Sequence, residues 1–392
     1  YELQIFSRTL TPPEIEKLAL GKKTMDGKIC WFPSINSLVV EGILEPGMVK
    51  GSSLELVVTD EEGKKEIYRQ KIGEEELVMT EAGTLRLRKI VSLPELSEGT
   101  YKTYLQEIKG GKKGKEYLLR DFIVKHYVWE NNNLGKSDVI IPPFTAIKVS
   151  DNTISCILRD YKLGILGLPE QIVSLNKDIL SRPISLSVIA GGKSIKWEKT
   201  AKVTFNDIKG NIVKFQSQAS NEIMDINLTG EFEYDGLMTI KLHIKPKKGI
   251  KPVDRIFLDI PVKGEIAKLY HAVGEHIRAN PADVVPEKEG VVFESRSIPQ
   301  PNIDNFIPYI WTGEEQRGIC WVSDWDKDWI HSKERSAIEL IREKGEVIIR
   351  VNLINGPVEL TREREIEFGL MASPVKPMPE GWRDKVFNFD WP

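Results

Sequence analysis

The sequence predicts an all-β chain built from more than one domain, and three observations carry that reading. Apolar residues alternate with polar ones, or run unbroken over roughly four to eight positions, between clusters of Gly, Pro, Asn and Asp. Helical spacing is scarce, and beyond residues 1–24 only Gly264–Tyr270 and Glu334–Arg342 are spaced for short helices. At 392 residues the chain exceeds one small core, so roughly two or three domains are expected.

Composition narrows the function classes. Net charge is −3, with 41% hydrophobic and 29% charged residues, which is ordinary globular material. Without a basic excess to neutralise phosphates, nucleic acid is not an expected partner. No apolar run approaches the ~18 residues of a membrane-spanning helix. The three cysteines, Cys30, Cys156 and Cys320, lie far apart with no CxxC, so neither a zinc knuckle nor a disulfide scaffold is expected. The first residue is Tyr1 rather than Met, and the sequence is expected to be a processed or internal piece.

Residues 1–24 open with a short strand, then a helix. Thr11 can cap that helix, Pro12 and Pro13 fit its first turn, and Glu14 suits the positive end of its dipole. Leu3, Ile5, Phe6, Arg8, Leu10, Pro13, Glu14 and Ile15 together resemble the last strand and closing helix of laminin-G-like jelly-roll modules. The resemblance implies an upstream jelly-roll domain and transfers no lectin function.

Residues 25–128 carry strand-like runs at Leu38–Leu44, Ser53–Thr59, Glu66–Ile72, Leu85–Val91, Thr100–Ile108 and Tyr117–Lys125. Glu61–Lys64 and Gly110–Gly114 are hairpin turns between them. Gly99-Thr100-Tyr101 resembles the start of a late strand in immunoglobulin-like and fibronectin-like sandwiches, where the tyrosine packs at a corner. A small sandwich of that type, serving as a spacer, is expected. Gly110–Lys115 and Gly191–Ser194 superficially resemble phosphate loops. The first has no Ser or Thr after Lys115, and the second has Ser187 where the leading glycine belongs, so both are turns.

Residues 129–376 hold a second, larger set of strands: Thr145–Val149, Thr153–Leu158, Ile184–Ile189, Phe232–Ile244, Val253–Val262, Val291–Phe293, Glu346–Ile354 and Glu365–Ala372. So many strands call for two large facing sheets. Residues 377–392 are a proline-punctuated linker whose aromatics, Trp382, Phe387, Phe389 and Trp391, suit a neighbouring domain.

The stretch from Asp304 to Ser332 is the densest in potential ligand contacts, holding four of the nine tryptophans: Trp311, Trp321, Trp325 and Trp329. It reads as strand, turn, strand, acidic turn, strand. Asp324, Asp326 and Asp328 have the spacing of a calcium loop, but Trp329 replaces the turn glycine and Arg335 the closing glutamate, leaving a solvated acidic turn. Glu314 and Glu315 point to opposite faces if extended, so they do not flank one glycosidic bond; one of them pairs with Arg317 instead. His271 and His276, five apart, suit neither one helix face nor one strand face as metal ligands. Neither GxSxG nor a Cys with a nearby His is present, so no catalytic set, metal site or cofactor is expected. Trp321 belongs to the core. Trp325 and Trp329, in or beside the acidic turn, are better placed for exposure, and with Trp311, Asp324 and Asp326 they form the candidate binding set. Indole faces stack on the apolar C–H faces of pyranoses, while carboxylates take the hydroxyls.

A family resemblance emerges from several spaced motifs. Pro308-Tyr309-Ile310-Trp311, Gly313, Arg317-Gly318, Trp321 and Asp328-Trp329 are followed by Val351-Asn352-Leu353-Ile354, Pro357-Val358, Ile366–Leu370 and Pro374–Pro377. Upstream stand Ile141–Thr145, Glu233–Gly236, Asp254-Arg255 and Ile260-Pro261. Over roughly residues 120–383 the chain resembles the β-sandwich that precedes the catalytic barrel in glycoside hydrolase family 123-like proteins. Trp325 and Thr312 depart from that pattern. The resemblance implies a larger antiparallel supersandwich of the galactose-mutarotase-like kind and a downstream (β/α)₈ barrel carrying an Asp-Glu pair. It also implies glycans containing N-acetylgalactosamine as substrates, and a secreted, periplasmic or cell-surface bacterial setting. On this expectation the chain is a non-catalytic platform between a jelly roll and a barrel, inactive alone. The alternative is a carbohydrate-binding module that stacks polysaccharide on exposed tryptophans; a third reading makes the sandwich an enzyme using Asp324 and Glu315.

Overall fold

Alternation decides the first of two compact units, Tyr1–Gly135 and Lys136–Pro392. The structure, a computed structural model, describes residues 26–49, 51–73, 76–79, 84–129, 133–135, 137–247, 252–274, 280–298, 306–332 and 334–381. The jelly-roll tail expected at 1–24, the aromatics from Trp382 onward and His276 lie outside the described residues.

In the first unit, Asp26–Phe32, Ser37–Leu44, Leu85–Ser92 and Leu77–Met79 form one four-stranded sheet in that order. Glu66–Lys71, Ser53–Asp60, Gly99–Lys109 and Lys112–Val124 form the other. All six strands read from alternation are present; Asp26–Phe32 and Leu77–Met79 are additions. Every second residue points inward, so Leu38, Val40 and Leu44 from one sheet meet Leu54, Leu56, Val58 and Leu105 from the other. The hairpin between the two longest strands turns on Gly110 (φ +57°) and Gly111 (φ +77°), a left-handed pair that a side chain would strain. Tyr101, 8% exposed, packs on Phe122 and donates its hydroxyl to the Ser97 carbonyl at 2.9 Å, making the expected corner.

The second unit has three sheets around one core. A five-stranded sheet runs Lys177–Asp178, Pro169–Ser174, Arg159–Leu163, Thr153–Cys156, Lys148–Ser150. A six-stranded sheet runs Lys193–Ile195, Ser185–Ala190, Val253–Lys263, Glu346–Val358, Ile338–Glu343, Gly290–Glu294. The ten-stranded sheet runs Lys199–Thr200, Ile212–Ser220, Met224–Glu233, Met238–Pro246, Arg364–Ser373, Gly318–Val322, Tyr309–Gly313, Leu269–Val273, Ala282–Val284, with Thr204–Ile208 beside Ile212–Ser220. Two large sheets were expected, and the five-stranded sheet is a third layer contributing Ile154, Tyr161, Leu163 and Ile172 to the same core.

The two helical expectations are corrected. Ile338–Glu343 is a strand, antiparallel to Glu346–Val358 through the turn Lys344-Gly345. Apolar residues spaced three and four apart also satisfy alternation at Ile338 and Leu340, and cross-strand pairing decides between the two. Gly264–Tyr270 holds a single turn closed by the Ala267 amide on the Lys263 carbonyl, before the strand Leu269–Val273. The described residues contain short 3₁₀ turns and no α-helix, and no helix among them is long and apolar enough to cross a membrane.

Candidate functional site

The aromatic hairpin forms as the sequence predicts. Tyr309–Gly313 pairs with Gly318–Val322, register Trp311 to Cys320, and Gly318–Val322 pairs onward with Arg364–Ser373. Inward positions Ile310, Ile319 and Trp321 are fully buried. The turn is held by Arg317, 4% exposed, whose guanidinium meets the Glu314 carboxylate at 3.1 Å. The strand expected after the acidic turn reduces to an isolated parallel bridge between Ile330 and Ile354.

Much of the acidic turn is engaged by neighbouring side chains and one backbone amide. Asp324 is exposed and Trp325 half-buried, with the Lys327 ammonium 5.6 Å from the indole centre. Asp326 meets His331 Nε2 at 2.9 Å in a pair whose side chains are only 7% and 11% exposed. The Asp328 carboxylate accepts the Glu365 amide at 3.0 Å and pairs with Arg362, while its backbone carbonyl accepts from Arg364 at 3.1 Å. Two of the three carboxylates are therefore already engaged, and the turn is not an open acidic loop. Among the described residues no group of three or more His, Cys, Asp or Glu side chains is arranged to hold a metal ion.

Trp329 corrects the expectation of exposure. It is 6% exposed, with its ring 5.5 Å from Phe306 and 5.8 Å from Trp321, inside the same core. Its apolar area is worth more against those rings than in water, so the sequence buries it although it adjoins a charged turn. Trp311 points outward instead and is half-buried. The candidate set is thus divided: Asp324 and Trp325 face solvent at the turn, Trp311 lies on the outer sheet face, and Asp326 and Trp329 serve packing.

Sequence reasoning missed a second cluster, centred on Arg159. This guanidinium is 2% exposed, and its described partners are all carbonyl oxygens: Asp235 at 2.7 Å, Ala372 and Val375 at 2.8 Å, and Ile157 at 3.3 Å. Gly236 makes room for it, with φ +91° and an ideal Cβ position only 2.4 Å from Arg159 Nη1. Beside it, Tyr161 Oη accepts the Ala372 amide at 2.8 Å and lies 3.2 Å from the Gly236 carbonyl, and Ser174 donates to the Ser373 carbonyl at 2.8 Å. Three side chains from the five-stranded sheet thereby hold the end of the last strand. Backbone acceptors up to 216 residues away leave no spacing pattern to read.

The family model described as glycoside hydrolase 123, third domain, matches residues 147–320. No curated protein matches the chain in sequence. Among solved structures, the Slr1438 protein of Synechocystis sp. PCC 6803 is 11% identical, with a TM-score of 0.33, covering 58% of this chain and 95% of its own. A protein described as an aldose 1-epimerase from Escherichia coli K12 is 7% identical, with a TM-score of 0.31, covering 58% and 98%. A copper-containing benzylamine oxidase from Hansenula polymorpha is 8% identical, with a TM-score of 0.35, covering 87% and 89%. With scores this low, none of the three assigns a topology. The family match spans the first half of the Arg159 cluster and all but the end of the aromatic hairpin: residues 147–320 are similar to a glycoside hydrolase 123 third domain, within an all-β architecture.

Proposed function

We propose that the chain is the non-catalytic β-sandwich platform of a multidomain glycoside hydrolase of the family 123 kind, acting on glycans that contain N-acetylgalactosamine. In this reading residues 25–128 are a spacer sandwich, 129–376 the platform proper, and the segment after 376 leads toward a catalytic barrel. The Arg159 clamp carries the reading. A platform must deliver the following domain at a fixed place, and here the tail of the last strand is fastened by Arg159, Tyr161 and Ser174 rather than left to fray. The engaged state of Asp326 and Asp328 argues in the same direction, since carboxylates committed to internal partners are poor general acids or bases. A glycan-binding role on exposed tryptophans remains the alternative, and at the acidic turn it would rest on Asp324 and Trp325 alone.

Native-state hydrogen exchange tests the clamp. The Ala372 amide is expected to exchange only with cooperative unfolding of the large sandwich. Exchange at the rate of a frayed strand end would remove the support for a platform.

A further inference from the structure

The outward face of the ten-stranded sheet changes character halfway across. Over Ile212–Ser220, Met224–Glu233 and Met238–Pro246 it carries Lys214, Gln216, Asn227, Glu231 and Lys241, the polar face usual for an antiparallel sheet. Over Gly318–Val322, Tyr309–Gly313 and Leu269–Val273 it presents Leu269, His271, Tyr309, Trp311 and Val322, with Cys320 on the same side but buried, and none of these carries a formal charge.

Trp311 is the centre of this second half. Gly313 and Gly318 face each other across the two strands, and an ideal Cβ at either would fall 2.4 or 2.6 Å from the indole. Trp311 Nε1 lies 3.2 Å from Ser373 Oγ, one strand further on. A ring that starts on one strand, passes over a glycine of the next and bonds to a third must lie along the sheet. One indole face is therefore seated on two glycines, and the other is turned away from the sheet. Beside it, the Tyr309 and His271 rings meet edge to face at 5.6 Å. Tyr309 Oη and the His271 ring nitrogens have no hydrogen-bond partner among the described residues.

We propose that this face is a binding site for a neutral glycan, with one pyranose stacked on Trp311 and its hydroxyls met at the ring edge by Tyr309 Oη and His271. A flat indole held by its own N–H loses little freedom on binding, and it matches the apolar C–H face of a sugar. The absence of charge on these outward positions selects neutral sugars over uronic or sulfated ones. The spent area is one indole with two polar tips, which suits one or two sugar rings better than the roughly 800 Å² per side of a stable protein interface. The inference is independent of the platform reading, because the face would bind glycan whatever domain follows.

Affinity electrophoresis of the whole chain through gels containing soluble neutral polysaccharides (a β-galactan, a β-glucan, glycol chitin), with heparin as the charged probe, tests it. At least one neutral gel is expected to retard the chain, with a Kd on the order of a millimolar. Trp311→Ala should weaken retention at least 20-fold, and Tyr309→Phe, which removes only the hydroxyl, roughly three- to tenfold. Trp129→Ala, at the exposed tryptophan of the first unit, should leave retention unchanged. If Trp311→Ala does not fold, Tyr309→Phe and His271→Ala decide. Retention by heparin alone, retention indifferent to these substitutions, or passage unretarded through every neutral gel overturns the proposal; the last result would make the face a protein contact.

Discussion

Replacing Arg159 by Met tests the structural logic of the large sandwich. The substitution keeps an unbranched side chain of similar length and removes every donor. Three long-range carbonyls, of Asp235, Ala372 and Val375, then lose partners at 2.7 to 2.8 Å. Hydrogen bonds from a charged donor contribute about 1.5–3 kcal/mol each, and the desolvation of a buried guanidinium offsets part of that sum. The Val375 carbonyl, near the end of the strand, can recover water. The net loss expected is about 4 kcal/mol. For a unit of this size that corresponds to a fall in Tm of roughly 10 °C. Urea unfolding followed by tryptophan fluorescence reads the loss, and calorimetry confirms it. Arg159→Lys should recover less than half, because a point-like ammonium cannot reach acceptors spread around a planar fork. Gly236→Ala, which pushes a Cβ into the same guanidinium, should be strongly non-additive with Arg159→Met. An Arg159→Met protein within about 1 kcal/mol of wild type would refute the clamp.

Further outcomes follow from the same contacts. Trp329→Ala opens a cavity between Phe306 and Trp321 and should cost about 3–5 kcal/mol, whereas Trp325→Ala at the half-open turn should cost under about 1 kcal/mol, both by urea unfolding. Gly318→Ala must displace the Thr312 carbonyl or the Trp311 indole, each 2.6 Å from the new Cβ, and should destabilise by about 1–3 kcal/mol. Burial pushes the thiols of Cys156 and Cys320 up to about 11 from an ordinary value of 9.0. Native alkylation at pH 8 should therefore label exposed Cys30 first and Cys320 last. Because the folded state holds these protons more tightly, their contribution is complete below pH 9. It falls at about 1.4 kcal/mol per thiol per pH unit between about 9 and about 11, a slope that urea titrations at pH 8.5 and 10.5 will show.

What the sequence made legible follows from local periodicity. Alternation located six strands of the small sandwich because each side chain there faces either core or water. Trp321 was readable as core from the apolar strand around it, and a turn ion pair of Arg317 with Glu314 or Glu315 was readable from their closeness in sequence, the structure selecting Glu314. Trp329 was misjudged because its neighbours in sequence are charged while its neighbours in space are Phe306 and Trp321. Ile338–Glu343 was misjudged because a six-residue segment fits both periods, and only its pairing with Glu346–Val358 selects one. Arg159 was invisible for a different reason. Its partners are backbone carbonyls, which every residue possesses, so no residue type at any spacing marks them.

The measurement closest to the central claim is turnover of an aryl β-N-acetylgalactosaminide by the chain as it stands, followed by release of the chromophore across pH 4 to 9. The platform account predicts no release above the buffer rate, with wild type and Asp324→Asn indistinguishable. Turnover at ordinary enzyme rates, abolished by Asp324→Asn or by substitution of Glu315, would contradict it and place the chemistry in the sandwich itself.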